Sequence, residues 1–147
     1  MFYRPVLDLD DILVFVRAQT GYRKPISEHA DLDRDLGVFG DDMSELLAAY
    51  SERFDVDMSR YRWYFHTGEE GLLNVGALFF KPPYARVRHI PVTPAVLLAS
   101  ARSGVWSVGY PAHVLPPRRF DLVINQAFGA VVLGAVVLAL VWKYLLR

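Results

Sequence analysis

Residues 122–142 read LVINQAFGAVVLGAVVLALVW, 21 consecutive positions without a charged side chain. As an α-helix rising about 1.5 Å per residue, such a stretch covers the roughly 30 Å hydrocarbon layer of a bilayer. The flanks agree with that reading. Arg118 and Arg119 precede the stretch, Lys143 and Arg147 follow it, and Trp142 and Tyr144 stand where interfacial aromatic residues sit. Asn125 and Gln126 fall near the first interface. A helix that is apolar on every side needs either lipid or a large protein around it, and only about 120 residues remain to supply one. The sequence therefore predicts one transmembrane helix over residues 122–142.

Working outward, only Lys143 to Arg147 follow the span, which predicts a tail anchor with a short end at 143–147. The chain begins MFYRPVLDLDD, with three aspartates where a secretory signal has its apolar core. The N-terminal domain is thus expected to stay in the cytoplasm, although the basic residues on the two sides of the span are too alike in number to set orientation. Within the span, Ala130 with Gly134 and Ala135 with Ala139 put small residues four apart. That spacing lets two membrane helices approach closely, so self-association through this helix is one reading of it.

The chain carries 16 basic and 16 acidic residues, but they are not mixed. Residues 1–70 hold 8 Lys or Arg against 15 Asp or Glu, a net of −7, and residues 71–147 hold 8 against 1, a net of +7. Either the halves pack on each other or the basic half faces lipid headgroups. With no cysteine, disulfides, thiolate catalysis and Cys-based zinc sites are excluded.

Before the span the pattern is helical. Asp8 is placed to cap a first helix, with Asp11 three residues on and Ile12, Leu13, Phe15 and Val16 as an apolar face ending at Thr20-Gly21. After Gly40, the residues Met43, Leu46, Leu47, Tyr50 and Phe54 fall on one helical face and leave Asp41, Asp42, Glu45 and Glu52 for solvent or a partner. Thr93-Pro94 reads as a helix start, Leu97, Leu98 and Ala101 as its buried stripe, and Gly104 as its stop. Between these helices, Tyr61, Trp63, Tyr64 and Phe65 precede GLLNVGALFF, an apolar run about half as long as a span requires, which is either core or laid on the membrane surface. Pro82-Pro83 and Pro116-Pro117 mark rigid turns, and residues 116–121 read as a linker.

Catalytic and metal chemistry find little support. Asp31, Asp33, Asp35 and Asp42 fall at positions of a calcium loop, but Leu36 replaces the turn glycine and Phe39 takes a ligand position, so an acidic loop before a capped helix is the better reading. His29, His66, His89 and His113 show no ligand spacing, and no nucleophile elbow, phosphate loop or zinc-protease motif occurs. Lys81, Arg86, Arg88 and His89 beside Phe79, Phe80 and Tyr84 could meet phosphates. Next to a membrane anchor, that set suits anionic lipid better than nucleic acid, and the plainest reading is a solvated loop, since basic residues are normally exposed.

The segments DLGVFGDDMSELL (35–47) and ERFDVDMS (52–59) resemble the second-helix region of acyl carrier proteins, where an Asp-Leu-Gly turn leads to a serine opening an acidic helix. Asp35, Leu36 and Gly37 stand at the turn, Asp42 and Glu45 at acidic helix positions, and Phe54-Asp55-Val56 at the segment that follows. The order of DLGVFGDD, YRWYF, FFKPPYAR and VTPAVLLASARSGVW is similar to that of a bacterial acyl-carrier-like family, domain of unknown function 1493, from about Leu7 to Pro111. The resemblance implies a small helical bundle and no known activity. Gly40 stands at the phosphopantetheine-bearing serine, so no hydroxyl is present to carry the arm. Ser44 lies about 6 Å further along the helix and reads as a solvated residue.

The expected architecture is mainly α: a four-helix, acyl-carrier-like bundle over residues 1–115 with an insertion at about 66–92, then the linker and one C-terminal transmembrane helix. The expected role is a noncatalytic docking module on the cytoplasmic side of a bacterial inner membrane, without cofactor or metal; the alternatives are a membrane structural protein that self-associates through its transmembrane helix and, behind it, a functional acyl carrier. Phe39, Asp41, Asp42 and Glu45 would meet a protein with a basic surface, and Lys81, Arg86, Arg88, Arg118 and Arg119 would meet membrane lipid. Ala130, Gly134, Ala135 and Ala139 would serve a homo-oligomer.

Overall fold

Capping chemistry sets the helix ends in the computed structural model, which describes residues 7–71 and 73–145. Helix α1 (Leu9–Thr20) opens on a reciprocal cap in which Asp8 Oδ1 accepts the Asp11 N–H at 3.1 Å and Asp11 Oδ2 accepts the Asp8 N–H at 3.0 Å. It closes at Gly21, whose φ of +67° is the left-handed conformation that glycine adopts without cost. Helix α2 (Gly40–Phe54) follows the expected stripe, burying Met43, Leu46, Leu47 and Tyr50. Helix α3 (Pro94–Ser103) starts on the Thr93 hydroxyl, which accepts the Val96 N–H at 3.2 Å, and stops at Gly104 with φ +76°. Helix α4 (Phe120–Leu145) is the long apolar one.

The chain divides into two compact units. The first comprises the described residues up to Glu70 together with Val87–His113, and the second comprises Gly71–Arg86 together with the described residues from Val114 on. In the first unit α1 packs on α2 and α3 around a core that includes Ile12, Phe15, Met43, Tyr50, Leu97 and Trp106. The Tyr50 hydroxyl donates to the Leu97 carbonyl at 2.5 Å, which ties α2 to α3 through the core. A parallel bridge between Asp57 and Val105 pins the segment after α2 to the segment after α3, with the Trp106 N–H donating to the Asp57 carbonyl at 2.9 Å, and it delivers the Trp106 ring to the interior.

Three α-helices, not the expected four, build this bundle among the described residues, and the stretch between α2 and α3 holds the 3₁₀ turn Trp63–Phe65. The insertion expected at about 66–92 is shorter as a separate body. His66 and Ile90 remain in the bundle because the Ile90 N–H donates to the Phe65 carbonyl at 2.6 Å, and the Leu32 N–H donates to the Val92 carbonyl at 2.9 Å. Only 71–86 leaves it.

In the second unit the 3₁₀ turn Val75–Leu78 packs on α4, and a further turn, Pro83–Ala85, follows Pro82. Helix α4 begins two residues before the expected span, so Phe120 and Asp121 are helical and not linker, and it continues past Trp142 to Leu145. Its 26 residues make it long and apolar enough to cross a membrane, and from Gln126 to Leu145 every side chain is exposed. The expected anchor Arg147, the N-terminal stretch Met1–Val6 and Leu72 lie outside the described residues.

Candidate functional site

The head of α2 carries the residues singled out for docking. Its N-cap residue, Phe39, has no side-chain acceptor to offer the free N–H groups of the first turn, and two residues from a distant loop supply them. Thr67 Oγ1 accepts the Gly40 N–H at 2.9 Å while donating to Asp33 Oδ1 at 3.0 Å, and Glu70 Oε1 accepts the Asp41 N–H at 3.2 Å. Glu70 lies directly over Gly40. A Cβ built there would stand 2.2 Å from Glu70 Cγ, and the Gly40 φ of +57° disfavours any other residue. Ser44 is exposed, with its hydroxyl donating to the Gly40 carbonyl at 3.2 Å.

Asp42 and Glu45 line an open groove of about 320 Å³ between the end of α1 and the start of α2, with Gln19, Thr20, Gly37 and Leu46 among its walls. Phe39, 48% exposed, and Asp41 are at the surface but outside that lining. The sequence expectation of one acidic contact face therefore resolves into a groove edged by Asp42 and Glu45 and a separate pair at the helix start. A carboxylate-edged groove is suited to a Lys or Arg side chain from a partner.

The loop aspartates are engaged in turns and cross-links. Asp35 accepts the Asp31 N–H at 2.8 Å, Asp31 accepts the Asp33 N–H at 3.2 Å and pairs with His89 Nε2 at 2.6 Å, and Asp33 holds Thr67. No group of three such residues is placed to hold a metal ion among the described residues.

His66 is fully buried, yet both ring nitrogens have partners. Nδ1 is 2.7 Å from the Ile90 carbonyl, to which it donates, so Nε2 accepts from the Tyr110 hydroxyl at 2.8 Å. The Tyr110 oxygen in turn accepts from Trp106 Nε1 at 2.7 Å and from the Arg62 N–H at 3.1 Å. This set needs a neutral imidazole, and burial pushes the His66 pKa down to about 4. The unfolded chain then binds a proton near pH 6.5 that the folded chain refuses, so stability is full above that pH and falls as pH drops toward 4. Between pH 7 and pH 4.5 the loss expected from this group is roughly 2–3 kcal/mol. Urea midpoints of the chain in mild detergent at the two pH values measure it, and His66→Gln should flatten the difference.

A second cluster, in the second unit, escaped sequence reading. The Asn74 side chain caps its own turn, with Oδ1 accepting the Ala77 N–H at 2.9 Å. Asn74 also donates to Asp121 Oδ2 at 3.2 Å and accepts from Asn125 Nδ2 at 2.8 Å, while Asn125 Oδ1 accepts the Gly76 N–H at 2.8 Å. Gly76 is buried, and a Cβ on it would lie 1.9 Å from the Asp121 backbone oxygen. The one available signal was composition, since Asp121 is the single acidic residue in residues 71–147.

The basic residues expected to face lipid separate. Lys81, Arg86, Arg118 and Arg119 line a cavity of about 120 Å³ in the second unit, whereas Arg88 belongs to the first unit. Arg119 is held by Asp121 through two bonds, Nε to Oδ1 at 2.9 Å and a terminal nitrogen to Oδ2 at 2.6 Å. Ala130, Gly134, Ala135 and Ala139 are all exposed on α4, with open space beside Gly134.

The described residues thus define a small α-helical domain joined to a helix of membrane-crossing length. Within that class, the chain belongs to the family described as Protein of unknown function (DUF1493), which matches residues 5–108. Comparison with curated proteins and with solved structures gives no match.

Proposed function

We propose that this chain is a noncatalytic, acyl-carrier-like docking domain, anchored through α4 in the inner membrane of a bacterium with its acidic bundle in the cytoplasm. The observation that carries the reading is the head of α2. Where a carrier protein would present a serine hydroxyl, this chain has Gly40 at a left-handed φ beneath the Glu70 carboxylate, and its first-turn N–H groups are taken up by Thr67 and Glu70. A prosthetic arm has no atom to attach to there, while Asp42 and Glu45 edge a groove that fits a basic side chain. Such a site is suited to recognition without group transfer. The partner class is a protein with a basic surface.

Charge reversal tests the reading. Affinity capture from detergent-solubilised membranes with the full chain should recover a partner that the double variant Asp42→Lys, Glu45→Lys fails to hold, with helix content and melting unchanged. Loss of desolvated charge pairs at an interface corresponds to about 2–5 kcal/mol, enough to abolish capture. Equal recovery by both proteins would contradict the groove, and a phosphopantetheine adduct on the intact chain after incubation with a phosphopantetheinyl transferase would contradict the reading that this domain carries no prosthetic arm.

A further inference from the structure

The cavity at the head of α4 is chemically unlike the acidic groove. Lys81, Arg86 and Arg118 surround an apolar floor that includes Phe80, Pro83 and Pro116. Arg86 is fixed by its Nε–H, which donates to the Lys81 carbonyl at 2.7 Å, and this uses one of the five N–H groups of its guanidinium. Asp121 also lines the cavity, but its oxygens are engaged by Arg119 and Asn74, which leaves a local excess of positive charge. Among the described residues, Lys81, Arg86 and Arg118 form no ion pair with a carboxylate.

Position supplies the second half of the argument. Phe120 and Asp121 line the cavity and the uncharged stretch begins at Leu122, so the cavity sits within about one helical turn, roughly 5 Å, of the start of that stretch. That is the level of the headgroups if α4 crosses a bilayer. Phe80 packs against Phe120 with ring centroids 5.4 Å apart, and the adjoining Leu78 and Phe79 are 82% and 70% exposed. Exposed apolar residues beside a cationic cavity match the boundary between acyl chains and phosphates. We infer that this cavity holds the phosphate-bearing headgroup of an anionic phospholipid, with Leu78 and Phe79 set into the acyl layer beside it. The inference rests on the reading that α4 lies in a bilayer.

The test uses the full chain reconstituted into vesicles of equal parts phosphatidylglycerol and phosphatidylcholine, then released in mild detergent for native mass spectrometry of retained lipid. The wild-type chain should retain phosphatidylglycerol over phosphatidylcholine by tenfold or more, since each cation near an anionic surface contributes about fivefold. The variant K81Q/R86Q/R118Q should fall to parity. K81R/R86K/R118K, which keeps the charge, should hold the preference, as should Arg88→Gln in the other unit. Alkaline extraction of the same vesicles separates the two levels of the argument. A chain that never inserts overturns the membrane reading and this inference with it. A chain that inserts but retains both lipids equally, or a neutralised variant that keeps the preference, overturns the headgroup site alone.

Discussion

Gly76→Ala is expected to release residues 71–86 from the head of α4. The added methyl group would stand 1.9 Å from the Asp121 backbone oxygen and 2.6 Å from its carbonyl carbon. Both partners in that clash are main chain, so no rotamer change relieves it, and one segment must move. Movement breaks the Gly76–Asn125 bond and strains the Asn74–Asp121 and Asn74–Asn125 bonds, leaving part-buried polar groups unpaired at about 1–3 kcal/mol each. A total near 3 kcal/mol raises the population of the detached segment by about 100-fold. Chymotryptic cleavage at Leu78–Phe80 in detergent should accelerate accordingly while the melting of the bundle holds. An unchanged cleavage rate would contradict the close packing at Gly76.

Trp106→Ala is expected to lower the stability of the first unit by about 3–5 kcal/mol, the range for removing a large buried aromatic side chain. Trp106 is fully buried and meets Tyr61 and His66 edge-on, with ring centroids 5.2 and 5.5 Å away. Its Nε1–H is also one of the donors that fix the Tyr110 hydroxyl beneath His66. A loss of this size approaches the whole stability of a small domain, about 5–15 kcal/mol, so the variant should be largely unfolded at a urea concentration the wild-type chain tolerates. Trp106→Phe, which keeps most of the ring, should lose less than half as much. An unaltered urea midpoint for Trp106→Ala would show that this ring does not hold the bundle together.

What was legible in the sequence was local. Asp8 and Asp11, Thr93 and Pro94, Gly21 and Gly104 mark helix ends because a cap joins residues within a few positions of each other, and the stripe from Met43 to Tyr50 marks a buried face because helical periodicity repeats over the same short range. The long apolar helix was legible for the same reason. The pairings that build the candidate sites are not local. Gly40 meets Thr67 across 27 residues, Asp41 meets Glu70 across 29, Asn74 meets Asp121 across 47 and Gly76 meets Asn125 across 49. No periodicity encodes such partners. Phe39, a poor N-cap, left a hint that α2 must be capped from elsewhere, but not by which loop. The acidic residues were legible as exposed, and their separation into a groove and a helix-start pair required the packing of α1 beside them.

The claim on which the rest depends is that α4 resides in lipid, and the absence of native cysteine allows a direct measurement. Single substitutions Leu133→Cys, midway along α4, and Ser59→Cys, on the bundle surface, are made in the full chain and exposed to a water-soluble maleimide in opened membrane vesicles. The account predicts rapid labelling at position 59 and labelling at position 133 only after detergent is added. Equal labelling of both positions in intact lipid would contradict it.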